Sequence, residues 1–310
     1  FALRTAYAHG TAALRTHLDS IPPQDEISWG VFDKLRTRWA GRIELQAVSL
    51  VGPDDAVDAP WLDGIARVVK RYGGVLGLAM SRFDRSKEAT LRIVEKAGEL
   101  GLDLDLHVDE TGDPDSHALE HLAEAVLETG YRGKIVAGHC CVLTVQDKTT
   151  QQRTIDKVKQ AGIAIVSLPM CNLYLQDRDE AGKATPIRRG VTLLREFREA
   201  GVPTAIASDN TRDPFYAYGD LDVLEVLREG ARILHFDHPQ DEAWAWARTV
   251  GAEPAAICGF DYTATIAPGA PADLVLFRAR NWTELLSRPQ SDRVVLRNGK
   301  ANDTTLPDYL

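Results

Sequence analysis

Imidazoles and carboxylates sit together at three places in this chain: His107-Val108-Asp109-Glu110, Gly138-His139 and Asp209-Asn210. Nitrogen and oxygen donors of this kind hold a divalent cation while leaving a position open for water. His107 and Glu110 are three positions apart. A turn beginning at His107 lets that imidazole bind metal while Glu110 reaches the attacking water and passes a proton to a departing nitrogen. Asp209 is the natural carboxylate ligand, because an anion at a strand end is costly to bury without a partner. His139 could hydrogen-bond and orient the hydroxide. Each group also has a plainer role. Asp109 and Glu110 could be solvated loop carboxylates, and Asp209 could cap the segment after it. His17, at the end of another strand, we read as a structural, hydrogen-bonded imidazole.

The elements around these residues decide whether they meet. Short apolar or β-branched runs alternate with amphipathic stretches, which predicts strands over 13–17, 43–51, 75–80, 102–107, 134–139, 163–168 and 202–208. Helices are expected over 1–13, 87–100, 117–129, 191–200, 221–232 and 242–250. Gly101, Gly130, Gly162 and Gly201 mark places where helices stop. A strand recurs roughly every thirty residues, as in repeated βα units with a parallel sheet. The tips of such strands share one mouth, and His107, His139 and Asp209 all fall at tips.

Seven strands are one short of a closed barrel. The chain begins at Phe1, without Met and within a helical pattern, so the first strand is expected upstream. The expected fold is therefore α/β: a (β/α)8 TIM-type barrel lacking its first strand, over residues 1–258. An open doubly wound sheet is disfavoured because no GxGxxG turn follows an early strand. Residues 259–310 read as the C-terminal part of a small β-sandwich, with strands over 272–277 and 293–298 and a turn at Asn298-Gly299.

Composition excludes several roles. A net charge of −9 argues against nucleic acid, which needs a basic face. No apolar run is long enough for a membrane span, and no signal segment opens the chain. Cys140, Cys141, Cys171 and Cys258 form no CxxC pair and read as reduced thiols, which places the protein in the cytoplasm. Other clusters are weaker. His117 and His121 lie one helical turn apart without an evident carboxylate partner and read as a solvated face. His235 and His238 fall in a polar linker, and Arg188-Arg189 read as surface. Ser167, Ser208 and His139 lack a GxSxG elbow. Cys140 reads as packed rather than catalytic.

Together with the three tip motifs, the runs Arg15-Thr16-His17-Leu18-Asp19, residues 168–178 (LPMCNLYLQDR), Arg188-Arg189-Gly190-Val191-Thr192, residues 208–219 (SDNTRDPFYAYG) and Ala272-Asp273-Leu274-Val275 form a long ordered set. From about residue 13 to 300 the chain resembles the cytosine deaminase group of the amidohydrolase superfamily. The resemblance implies a (β/α)8 barrel with a small β-sandwich built from both chain ends. It implies that His107 and Asp209 are metal ligands, Asp209 also taking a proton from the attacking water. It further implies that Glu110 is the proton shuttle and that His139 contacts the hydroxide. Phe215 is then an aromatic lining the substrate pocket, with Asn172, Leu175 and Asn210 beside the substrate and Leu173 as further apolar floor.

Three departures stand out. The family's HxH pair after its first barrel strand is absent here and is expected upstream of Phe1; with only His107 and Asp209, this chain should hold Zn or Fe(II) poorly. Asn210 replaces a second Asp, which is more similar to N-isopropylammelide amidohydrolases. The Gln that reads a pyrimidine amide in the family aligns near Gly52; such a lost contact costs ~1–3 kcal/mol. The expected activity is metal-dependent hydrolytic deamination of a cytosine-like heterocycle, releasing ammonia, by a homo-oligomer. The alternatives are cleavage of an N-alkyl or ring C–N bond in a triazine or other cyclic amide, or a metal-free barrel that binds a heterocycle.

Overall fold

A computed structural model describes all residues except 82, 180, 239–242, 263 and 310. Helices and strands alternate from the start. α1 (Ala2–His9) leads into β1 (Ala13–Asp19), α2 (Gln24–Trp39) and β2 (Glu44–Leu50). α3 (Pro53–Val57) and α4 (Ala59–Tyr72) precede β3 (Ala79–Met80), and α5 (Ser86–Leu100) precedes β4 (Leu104–Val108). α6 (Ala118–Thr129), β5 (Ile135–His139), α7 (Lys148–Ala161) and β6 (Ala164–Ser167) continue the alternation. Then come α8 (Pro169–Leu175), α9 (Leu194–Glu199), β7 (Thr204–Ile206), α10 (Val223–Leu234), α11 (Ala243–Trp246) and α12 (Ala252–Cys258). The tail holds β8 (Leu274–Leu276), α13 (Trp282–Ser287), β9 (Val294–Arg297) and β10 (Lys300–Ala301).

All strands before the tail pair in parallel. β1 and β2 run in register from Ala13↔Glu44 to Asp19↔Leu50. β3 to β7 form a five-stranded sheet in sequence order. Bridges at Val48↔Val75 and Leu76↔Leu104 join the two sets. The strand expected over 75–80 is thus interrupted in its middle, and Gly77 shows why. The Ser49 hydroxyl bonds both the N–H and the carbonyl of Gly77, taking them out of the ladder. A Cβ at Gly77 would collide with the Asp105 carbonyl and the Val48 side chain, so only glycine permits this approach.

The alternation of β4 separates core from site. Leu104, Leu106 and Val108 are buried, 1% exposed or less, within the main apolar core. Burial of this kind is worth about 1.5–3 kcal/mol per side chain. Asp105 and His107 occupy the opposite face, as a period of two requires. Around the sheet, α5 packs on α6 and α6 on α7.

Some boundaries differ from expectation. The first helix stops at His9, not residue 13, because Gly10 turns left-handed (φ 107) and returns its N–H to Ala6 and Tyr7. The helix expected over 191–200 starts only at Leu194, after a positive-φ turn at Gly190 (φ 68). Of the segment 242–250, residue 242 lies outside the described residues; the rest is α11 followed by a 3-10 turn, Ala247–Val250. In the tail, β8, β9 and β10 pair antiparallel. Asn298 and Gly299 both have positive φ (48 and 75), the geometry of a tight hairpin. Arg297 ties this sheet to the first loop by donating to the carbonyls of Gly10 (2.8 Å) and Thr11 (2.5 Å).

Candidate active site

The chain leaves three strands of the five-stranded sheet through left-handed, non-glycine residues: Asp109 (φ 52) after β4, His139 (φ 68) and Cys140 (φ 50) at β5, and Asp209 (φ 66) after β7. Each such residue costs roughly 1–3 kcal/mol and persists only where its surroundings fix it. Asp109 shows how. It is 1% exposed, not solvated. Its carboxylate accepts from Ser116 Oγ (2.5 Å) and from the backbone N–H groups of Ala118 (3.1 Å) and Leu119 (2.9 Å). It therefore anchors the start of α6 to the end of β4, and Glu110 is presented from that fixed turn.

His107, His139 and Asp209 converge: one ligand atom from each lies within 4.8 Å of the others. The sequence had assigned His139 to orientation alone, whereas its position also suits a third ligand. Two atoms in this group, His139 Nε2 and Asp209 Oδ2, are buried without a hydrogen-bond partner among the described residues. Such groups are expensive unless something pairs with them. On its other side His139 Nδ1 lies 3.2 Å from Glu110 Oε1. A proton on Nδ1 shared with that carboxylate leaves Nε2 with a lone pair, the form that ligates metal. The donor set and its orphaned atoms thus fit a divalent cation.

The three groups are pushed in different directions: His107 toward its neutral, ligating form, His139 and Asp209 toward their protonated forms. Burial pushes the His107 imidazole well below its usual range, with His17 and His139 adding to the effect, so it is neutral. Burial opposes charge on His139 too, but the carboxylates of Glu110 and Asp209 and the bond to Asn172 outweigh it and raise its pKa. Burial raises the Asp209 carboxyl, with His139 acting against it.

Asn172, fully buried on α8, completes the cluster. Its Nδ2 donates to Glu110 Oε1 (3.1 Å) and lies 3.0 Å from His139 Nδ1. Glu110 and Leu175 line an open cleft of about 560 Å³, together with Asp177, Arg178 and Arg188. Asn210 is held by its neighbours: Cys171 Sγ lies 3.3 Å from its Oδ1, and its Nδ2 donates to Asp213 Oδ2 at 2.7 Å. Phe215 follows in the Asp213 turn with its side chain 60% exposed, and Leu173 is exposed as well.

His17 is more than a strand-end residue. Its ring packs edge-on against His107, centroids 4.5 Å apart. Its Nε2 lies 3.4 Å from Asp105 Oδ1. Sequence reasoning missed Asp105, which is buried and paired with Arg15 (2.9 Å). Burial opposes its charge, but His17 and Arg15 hold its pKa below the usual range. The signal was available: a carboxylate two residues before His107, on the same strand face, in an otherwise apolar run. Cys171 and Asp213 were also missed; they act through pairings that no local spacing records.

The weaker clusters are structural. His117 and His121 do not form a solvated face. His117 Nδ1 lies 3.8 Å from Glu120 at the start of the same helix, whereas His121 Nδ1 is 2.7 Å from Ser86 Oγ and so joins α5 to α6. Cys140 is packed and fully buried, and burial pushes its thiol well up. No helix among the described residues is long and apolar enough to cross a membrane.

Comparison with known proteins gives this geometry a class. The amidohydrolase family matches residues 77–301. The chain is 55% identical, over 310 residues, to a pterin deaminase from Rhizobium rhizogenes, covering all of this chain and 70% of that protein. The chain belongs to the amidohydrolase family. In the solved structure of a 5-methylcytosine deaminase from Klebsiella pneumoniae with 5-fluorocytosine, the TM-score is 0.84 at 24% identity, covering 100% of this chain and 74% of that one. An N-isopropylammelide isopropylaminohydrolase from Burkholderia multivorans gives 0.73 at 25%, covering 96% and 72%. These neighbours place the fold among TIM-barrel-like α/β proteins.

Proposed function

We propose that this protein hydrolytically deaminates a pterin-type heterocycle, releasing ammonia, at the convergence of His107, His139 and Asp209. The observation that carries the reading is that convergence, with a buried lone pair and a buried carboxylate oxygen left without protein partners. The substrate class comes from the pterin deaminase relative, which is similar along the whole chain. It replaces the cytosine-like ring of the sequence reading with a fused, larger ring.

His107 and Asp209 would hold the cation, with His139 in range of it; Zn and Fe(II) both suit nitrogen and oxygen donors. When bound, a divalent cation lowers the pKa of water to about 7 and so supplies a nucleophile at neutral pH. The chain's own residues do the rest. Asp209 takes the proton of the attacking water. Glu110, fixed beside His139 and Asn172, carries the water's other proton to the ring nitrogen, and the proton held by Asp209 goes to the leaving amine, so ammonia departs. His139 steadies charge on the attacked carbon's oxygen substituent. Leu175 and Phe215 supply apolar surface for the ring, and Asn172 and Asn210 its polar contacts.

We further assign residues 1–258 to a barrel and residues 259–310 to part of a small β-sandwich. The four cysteines are unpaired, which supports a reducing, cytoplasmic setting. The test is product analysis with full-length protein: ammonia and alkylamine measured over pterin, cytosine and an N-alkylated triazine. Ammonia from pterin supports the proposal; alkylamine alone would move the activity to C–N cleavage of triazine side chains.

A further inference from the structure

Asn210 follows Asp209 directly, and its carboxamide is gripped from both ends. Asp213 Oδ2 lies 2.7 Å from Nδ2, and Cys171 Sγ lies 3.3 Å from Oδ1. A carboxylate can only accept, so the amide nitrogen must be the atom that faces Asp213. Asp213 is itself fixed, because its other oxygen accepts from the backbone N–H groups of Phe215 (2.9 Å) and Tyr216 (3.0 Å). The thiol, buried on α8, faces the amide oxygen, with the Asp209 carboxylate as its other acceptor. Rotation of the amide by half a turn would set its oxygen against a carboxylate oxygen.

We propose that Asp213 is a positioning residue that locks the Asn210 carboxamide in one orientation, so that its second N–H serves as a fixed donor to an acceptor on the substrate ring. This rests on the reading of Asn210 as a pocket residue. Among the described residues, no other protein group takes that second N–H. The pairing also explains the residue type. Aspartate at position 210 would place two carboxylates at hydrogen-bond distance, so Asp213 selects an amide there. The chain thus presents a donor at position 210. The ring edge it reads must then offer a ring nitrogen or carbonyl lone pair at that point, and a site that loses such a donor discriminates poorly.

Two measurements on the full-length protein test this. In the first, asparagine side chains are labelled with 15N. The Asn210 amide protons should exchange slowly with solvent, and Asp213→Asn should abolish that protection while circular dichroism and bound metal stay unchanged. In the second, pterin binding (fluorescence quenching) and turnover are compared. Asp213→Asn should raise KM for pterin about ten- to hundred-fold with kcat within about threefold. Asn210→Asp with Asp213→Asn, which re-pairs the two side chains with roles exchanged, should fold normally yet not recover the KM. A freely exchanging amide in the unaltered protein, or an unchanged KM in Asp213→Asn, overturns the proposal. If the unaltered protein neither binds nor turns over pterin, the substrate reading fails, and the labelling experiment still decides the lock.

Discussion

Glu110 Oε1 lies 3.2 Å from His139 Nδ1, and Asn172 Nδ2 donates to the same oxygen at 3.1 Å. One carboxylate oxygen thus sets the tautomer of one imidazole while the second oxygen stays available to the cleft. That division lets Glu110 move a proton without releasing His139.

Glu110→Gln keeps the size and the hydrogen bonds but removes the titrating proton. Ammonia release should fall about 10²–10⁴-fold. Metal content, measured by atomic emission on the purified variant, should stay at the unaltered level. A variant retaining full rate would remove Glu110 from the chemistry.

His107→Ala deletes one donor of the cluster. Bound metal should fall to trace levels in competition with a chelator, and ammonia release should vanish with it. Unfolding temperature should change little without metal. Retention of one metal per chain would move the centre elsewhere.

Asp109 contributes through stability. Asp109→Ala orphans Ser116 Oγ and two N–H groups at the start of α6. The expected loss is about 2 kcal/mol or more, with a fall of about 5 °C in Tm. Calorimetry checks it. An unchanged Tm would mean that the turn is held by other contacts.

Acid sensitivity should trace to Glu120. Arg153 (2.6 Å) and Lys157 (2.7 Å) hold its carboxyl down to about 2, from a usual 4.5. A depressed carboxylate pKa adds stability that is complete above about 4.5 and disappears as pH falls through about 2. Glu120→Gln should therefore lower stability at pH 6 and flatten the stability profile between those values. Denaturant titrations at pH 6 and pH 3 read both effects; parallel profiles would contradict the assignment.

Much of this was legible before any coordinates. All seven parallel strands fall where β-branched runs are bounded by turns, since local patterning reports local structure. His107, Glu110, His139 and Asp209 were readable as strand-tip residues because a parallel sheet gathers its tips. Less legible were effects without a period. The break at Gly77 depends on Ser49, twenty-eight residues away. Asp213 and Cys171 meet at Asn210 only in three dimensions. The left-handed backbone at His139 and Asp209 falls on residue types that tolerate it, but which histidine or aspartate adopts it is set by the fold and not by local sequence.

The central claim is that His107, His139 and Asp209 surround a cation that serves deamination. The most direct measurement is ammonia released from pterin by full-length protein, before and after chelation and after return of one equivalent of Zn or Fe(II). One ammonia per pterin, lost on chelation and regained with metal, is the predicted result. Undiminished release from metal-free protein, or none from the metal-loaded form, would contradict it.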